Sequence, residues 1–192
     1  MINYKTSFFD LKKFIEKENF KGWDPYDGLN SVFFRKTYLH NLKIFRLIWI
    51  QFFKKSPINF REFLNVPKGY NSKGLALLLS GYCNIQKKNP SQDNREKIKY
   101  LLENIFKIEN KGFSGSCWGY NFDWQALAFF QPNNTPTVIA STFVGNSLLD
   151  SYEILNDKKI LEKAISIKNF ILNDLNRTYD KDGDFCFSYS PL

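Results

Sequence analysis

The sequence predicts an all-α fold arranged as a partial α/α toroid, about half of a closed ring, and three observations carry that expectation. Segments with helical periodicity recur through the 192 residues. They change character along the chain, some charged with a single apolar stripe and others apolar over most of their circumference. The two clearest apolar segments begin near Ser72 and Pro136, about 64 residues apart, a spacing that reads as a repeat. A helix that is apolar all round must be enclosed by others, and an inner ring wrapped by amphipathic outer helices is the toroid arrangement.

Taken in order, residues 4–19 form a charged helix in which Phe8, Leu11, Phe14 and Ile15 share one stripe. Residues 37–55 are apolar over most of the circumference. Residues 72–86 carry one charge, Lys73, before a run through Leu75, Leu77, Leu78, Leu79, Tyr82 and Ile85, which predicts a helix buried all round. Residues 92–109 return to the amphipathic pattern, with Ile98, Leu101, Leu102 and Ile105 on one face. Residues 136–155 hold no charge until Asp150, with Thr135 expected as the cap and Pro136 in the first turn. Residues 157–175 are mixed in charge along Ile160, Leu161, Ala164 and Ile171. The order is therefore outer, inner, inner, outer, inner, outer. A short outer helix over residues 60–64 would restore strict alternation.

By this spacing a further inner helix is due near position 200, so the chain is expected to be an incomplete single domain over residues 1–192. The alternative is a compact bundle of six helices with an ordered tail. Half a ring would expose apolar flanks, which predicts self-association or a second-half polypeptide as partner.

Composition narrows the function classes. The net charge is +8, with 19 Lys+Arg against 8 Asp+Glu in residues 1–100 and 8 against 11 in residues 101–192. The first half could face an anionic partner, but no nucleic-acid-binding module or dense basic run accompanies the charge, so no nucleic acid is expected. The abundance of Lys beside Asn, Ile and Phe is also what AT-rich coding produces. Three cysteines, Cys83, Cys117 and Cys186, lie far apart without zinc spacing, which predicts reduced thiols in a cytoplasmic setting, no metal and no cofactor. The most apolar helical stretch, residues 42–53, is interrupted by Lys43 and Arg46 and falls well short of the roughly 20 residues that span a bilayer, so no transmembrane segment is expected.

The most informative local segment is Gly112-Phe113-Ser114-Gly115-Ser116-Cys117-Trp118-Gly119-Tyr120-Asn121-Phe122-Asp123-Trp124-Gln125. Glycines allow close backbone approach to a ligand, Trp118, Tyr120 and Trp124 offer flat faces for sugar rings, and Asn121 and Gln125 offer hydrogen bonds. Each also has a plainer reading, the rings packing the loop onto inner helices and the amides fixing it.

Three stretches carry a family resemblance. Gly22-Trp23-Asp24-Pro25-Tyr26-Asp27-Gly28-Leu29, then Gly69-Tyr70-Asn71-Ser72-Lys73-Gly74-Leu75-Ala76, and Cys117-Trp118-Gly119-Tyr120-Asn121-Phe122-Asp123-Trp124-Gln125 with Thr135-Pro136-Thr137-Val138 resemble bacterial and archaeal proteins encoded near surface-polysaccharide genes. Those are similar to the six-hairpin glycosidase superfamily. The resemblance covers the first half of such a protein and implies about half of an (α/α)6 toroid, with loops leading into a central cleft and a saccharide or polysaccharide precursor as ligand. Some of the proteins it resembles carry a delta-aminolevulinic acid dehydratase label, to which this sequence lends nothing: it has neither barrel-like alternation of strands and helices nor a zinc-like cysteine cluster. No catalytic assignment transfers, because glycosidases, lyases and epimerases on this toroid place their acids and bases differently.

The candidate catalytic carboxylates are Asp123, Asp24 and Asp27, since glycoside hydrolysis needs one protonated and one ionised carboxyl beside the scissile bond. For Asp24 and Asp27 the competing reading is turn chemistry. His40 reads as a structural histidine before a base, and Cys117 as a packed residue before a nucleophile. Asp180, Asp182 and Asp184 suggest a calcium loop, but Gly183 is misplaced and no closing Glu follows, so an Asx-rich turn is the better account. The leading expectation is a carbohydrate-active toroid of surface-polysaccharide metabolism, inactive in this incomplete form. The competing classes are a noncatalytic sugar-binding or assembly subunit and membrane-surface association through the basic helix over residues 36–55.

Overall fold

The computed structural model describes residues 3–192. Its internal contacts gather into two compact units, Met1–Asn71 and Ser72–Leu192, where chain length predicts one domain.

The first unit opens with α1 (Tyr4–Lys17), capped by the Asn3 side chain, which accepts from the Lys5 and Thr6 amides. The chain leaves α1 through Asn19 and Phe20, both left-handed at φ 49° and 60°. A bulky residue there costs about 1–2 kcal/mol, offset by the Phe20 amide bonding back to Ile15 O at 2.9 Å and by burial of its ring. A 3-10 turn at Asp27–Asn30 leads into a one-turn helix, α2 (Val32–Arg35), whose cap Ser31 accepts from the Phe34 amide.

The single helix expected from Thr37 is split into a 3-10 turn, Tyr38–Asn41, and α3 (Lys43–Lys55). Leu42 between them is extended, and the Arg46 guanidinium reaches back to the His40 and Asn41 carbonyls, satisfying groups that a continuous helix would have paired. The short helix expected over residues 60–64 does not form. One hydrogen-bonded turn closes there, from Leu64 N to Phe60 O, and ends at left-handed Asn65 just before Pro67. Trp49 organises this unit: its ring stacks on Phe34 at 4.5 Å, its indole N–H donates to Gly28 O at 3.0 Å, and Leu29, Ile50, Phe53 and Val66 fill the core.

The second unit holds α4 (Ser72–Lys88), α5 (Gln92–Lys107), α6 (Val138–Leu155) and α7 (Lys158–Asp174). They form two αα-hairpins. α4 packs on both α5 and α6, and α6 packs on α7, so α4 and α6 are the central pair and α5 and α7 the flanking pair. The flanking helices bury one stripe each, Ile98, Leu101, Leu102 and Ile105 on α5 and Ile160, Ile167 and Phe170 on α7. The class is mostly helical, as the periodicity predicts.

The central helices are not enclosed on every side. Leu77 of α4 and the α6 stripe Ile139, Thr142, Asn146, Leu149 and Glu153 face outward. The α6 start also differs from expectation: the cap is Thr137, whose hydroxyl accepts from the Ala140 amide at 3.0 Å, so Pro136 precedes the helix rather than opening it. Thr135 instead presses against Gly119, where a side chain would have no room.

Two short antiparallel ribbons interrupt the helices. β1 (Trp124–Gln125) pairs with β2 (Phe130–Gln131), and β3 (Arg177–Tyr179) pairs with β4 (Phe185–Phe187). In the turn of the second ribbon, Asp180 accepts from the Asp182 and Asp184 amides, an Asx turn of the kind the sequence suggests.

Gly115 marks the tightest seam in this unit, because a Cβ there would sit 2.0 Å from Ser166 O and 2.8 Å from Phe170 N on α7. Backbone atoms cannot swing aside as a flexible side chain can. Gly115→Ala should therefore lower stability by about 1–3 kcal/mol, read as a lower urea midpoint at unchanged m-value.

Candidate functional site

The aromatic segment is a loop clamped at its base and open at its tip. After α5, Gly112 takes φ 86° to turn the chain. Ser114 then bonds Asp174 through both its amide and its hydroxyl, and the Ser116 amide donates to the Ser166 hydroxyl at 3.2 Å, which fixes the strand of loop along α7. Trp118 follows, fully buried, its indole N–H donating to Ile105 O at 2.8 Å and its amide to the Ser141 hydroxyl at 3.0 Å. Two of the glycines thus answer a different need from the one composition suggests. Gly115 and Gly119 let the loop approach α7 and Thr135 of the same chain, not a ligand.

Past Gly119 the chain rises into the ribbon. Tyr120 stacks on Phe122 at 5.4 Å, and Phe122 is buried while Tyr120 and Asn121 are half-buried. Asp123 accepts from the Asn133 amide at 2.7 Å, closing the ribbon's base. Gln125 is buried and donates to the Ala126 and Phe129 carbonyls, the loop-fixing role that composition allows for it. Trp124 remains half-buried beside Phe129 at 5.3 Å and Tyr189 at 6.2 Å, both edge-on, while Phe129 and Leu127 project into solvent. Directly across the ribbon from Trp124 lies Gln131, buried, with its amide oxygen lacking a hydrogen-bond partner.

Of the five residues expected to bind a sugar, Trp118 therefore lies in the core and Gln125 fixes the turn. Tyr120, Asn121 and Trp124 remain at least partly accessible. Phe129, Gln131 and Tyr189 escape sequence reading. The run Leu127-Ala128-Phe129-Phe130-Gln131 gives a short strand signal, but nothing local links Tyr189, 65 positions after Trp124, to the same cluster.

Asp24 and Asp27 belong to the first unit and Asp123 to the second. Asp27 is almost fully buried, with Oδ1 accepting from Arg61 Nε at 2.8 Å and Oδ2 from the Asp24 amide at 2.9 Å. Asp24 accepts from the Tyr26 amide and from Asn71 Nδ2, and its carbonyl accepts from Arg61. Burial pushes the Asp27 carboxyl above the usual range, and the Arg61 hydrogen bond opposes that rise. Both carboxylates thus tie the Trp23 to Leu29 turn to Arg61 and Asn71, the turn chemistry that competes with catalysis.

Elsewhere in the second unit, burial would raise the Glu109 carboxyl, but hydrogen bonds from Lys111, Lys163 and Ser116 together hold it below the usual range. Burial pushes the Cys83 and Cys117 thiols up to about 12, which leaves them neutral and unreactive. Among the described residues, no three His, Cys, Asp or Glu side chains gather to hold a metal, and no helix is long and apolar enough to cross a membrane. An apolar groove of about 380 Å³ runs between α6 and α7, lined by Thr142, Gly145, Leu149, Ile165 and Ile171, and shares no residue with the aromatic loop.

Glu109 supplies a pH test. Its lowered value means its contribution is present above the ordinary carboxylate range and is lost as the pH falls through the folded value. Glu109→Gln should cost about 1–3 kcal/mol at neutral pH, and the deficit should shrink as unfolding is followed below pH 4.5, the ordinary value for this group. For the thiols, a chromogenic disulfide reagent should label one group in the native protein, exposed Cys186, and all three after denaturation. Compared with family models, with curated proteins and with solved structures, the chain matches none.

Proposed function

We propose that the second unit binds saccharide at the tip of the aromatic loop, on the face made by Trp124, Phe129 and Tyr189. The observation that carries this reading is that these three rings cluster at partial exposure above a loop base committed to packing. Sugar rings present C–H faces that lie on such aromatics. The resemblance to six-hairpin glycosidase-like proteins near surface-polysaccharide genes adds to the reading, with a partial α/α toroid as architecture, a cytoplasmic setting and a polysaccharide precursor as ligand.

Between turnover and binding alone, the carboxylates favour binding. Asp27 has both oxygens engaged, Asp24 supports the same turn, and one oxygen of Asp123 holds the ribbon base. A hydrolase needs one carboxyl free to donate a proton and a second to act on the anomeric carbon. A noncatalytic sugar-binding or assembly role asks neither of them.

Calorimetric titration with a panel of neutral and acidic oligosaccharides tests the proposal. At least one should bind without being converted, and Trp124→Ala should weaken it about tenfold, equivalent to ~1.4 kcal/mol, while leaving thermal unfolding nearly unchanged. Trp118→Ala is the contrasting control and should cost about 3–5 kcal/mol of stability. Absence of binding across the panel, or an unchanged affinity in Trp124→Ala, would remove this face as the site; cleaved products would replace binding by catalysis.

A further inference from the structure

α1 is an amphipathic helix with no buried residue. Tyr4, Phe8, Leu11 and Ile15 follow the i, i+4, i+7, i+11 spacing that sets them on one face, with Phe14 beside them. Tyr4 is 83% exposed, Leu11 57% and Phe14 58%. Ile15, near the C-terminal end, is half-buried, and no other helix packs substantially on α1 among the described residues. The opposite side carries Lys5, Lys12, Lys13 and Lys17 against Asp10 and Glu16. Lys12 faces Glu16 at 3.7 Å, whereas Lys5, Lys13 and Lys17 have no side-chain partner among the described residues.

The segment at the C-terminal end of α1 is anchored. Lys68 pairs with Glu18 at 2.6 Å, and Gly22 bridges Gly69 through both backbone bonds, anchoring the segment that follows α1 within the first unit. The charge of this unit matches a negative surface. Residues 1–71 hold 13 Lys+Arg against 6 Asp+Glu, while residues 72–192 hold 14 against 13, so almost all the excess positive charge of the chain lies in the unit that carries α1, and α1 itself holds four lysines against two acidic residues.

The α3 helix is the weaker candidate for such contact. Ile50 and Phe53 commit one of its faces to the core, Arg46 is spent on backbone carbonyls, and Lys54 is held by the Tyr26 hydroxyl at 2.8 Å.

We propose that α1 is an interfacial anchor that lies in the surface of a bilayer bearing anionic lipid, with the Tyr4, Phe8, Leu11 and Phe14 face in the acyl boundary and the lysines at the head groups. Apolar insertion and attraction of lysines to acidic head groups are the two contributions that hold such a helix, and a 14-residue helix needs both. The proposal is independent of the saccharide site, which lies in the other unit.

Vesicle sedimentation tests it, using phosphatidylcholine alone and phosphatidylcholine with one part in three phosphatidylglycerol. The protein should pellet with the anionic vesicles at low salt, remain in the supernatant with the neutral ones, and be released several-fold by 0.5 M salt. The double substitution Leu11→Asp and Phe14→Asp should reduce binding at least about tenfold. Both side chains are exposed, so circular dichroism should show the fold retained. Replacing Lys5, Lys13 and Lys17 by Gln should weaken anionic binding about fivefold per charge. Equal pelleting with both vesicle types, or pelleting unaffected by the double substitution, would overturn the proposal. So would failure to bind anionic vesicles, including the case where the double substitution instead changes the oligomeric state, which would assign the face to a second copy of the chain.

Discussion

The second unit depends on the burial of Trp118. Its indole N–H is satisfied by Ile105 O at the end of α5, its amide by the Ser141 hydroxyl in the first turn of α6, and its carbonyl by the Thr137 amide at the α6 cap. One side chain and its own backbone thus join the last turn of one hairpin to the first turn of the next. A buried indole left without an acceptor would cost about 1–3 kcal/mol on top of the lost packing, so the loop has one position relative to these helices. The steric consequences follow directly. Gly115 must pass against the α7 backbone and Gly119 against Thr135, where a Cβ would clash.

That constraint divides the loop into a structural base and an accessible tip. Bonds from Ser114, Ser116, Trp118 and Asp123 are all spent on the chain itself. The ribbon beyond them is short, and its exposed rings are presented by β1, its turn and Tyr189 from the C-terminal segment. The three rings stand edge-on or tilted to one another, so the tip presents both ring edges and ring faces above the fixed base.

The first unit joins to its Trp49 core a different kind of interaction, the largely buried Asp27 and Arg61 pair. Taking both charges from water is unfavourable unless each finds further hydrogen bonds, and here Arg61 also reaches the Asp24 carbonyl while the Asp24 amide serves Asp27. Beside this pair a single turn stands over residues 61–65, where strict alternation of inner and outer helices asked for an outer helix. Its other basic residues are left on the surface, and α1 carries its share on a helix that the core does not use.

Helix positions were legible in the sequence because local periodicity sets them: α4, α5 and α7 begin within a residue of the expected positions 72, 92 and 157, and the stripes of α5 and α7 closely follow their spacing. The α6 start differs because two threonines flank Pro136, and in the fold Thr137 caps while the Thr135 carbonyl lies against Gly119. The candidate site was half legible. The loop's aromatic composition is plain in the sequence, yet composition is silent on whether a ring faces a core or solvent, and Trp118 and Trp124, six positions apart in one motif, take opposite fates. The sequence by itself determined the helical class, the positions of most helices and the uneven charge, all consequences of residue identity and of neighbours within a few residues. Tertiary structure decided which carboxylates are spent, which glycines serve packing and which rings remain reachable, because each of those depends on contacts between residues dozens of positions apart.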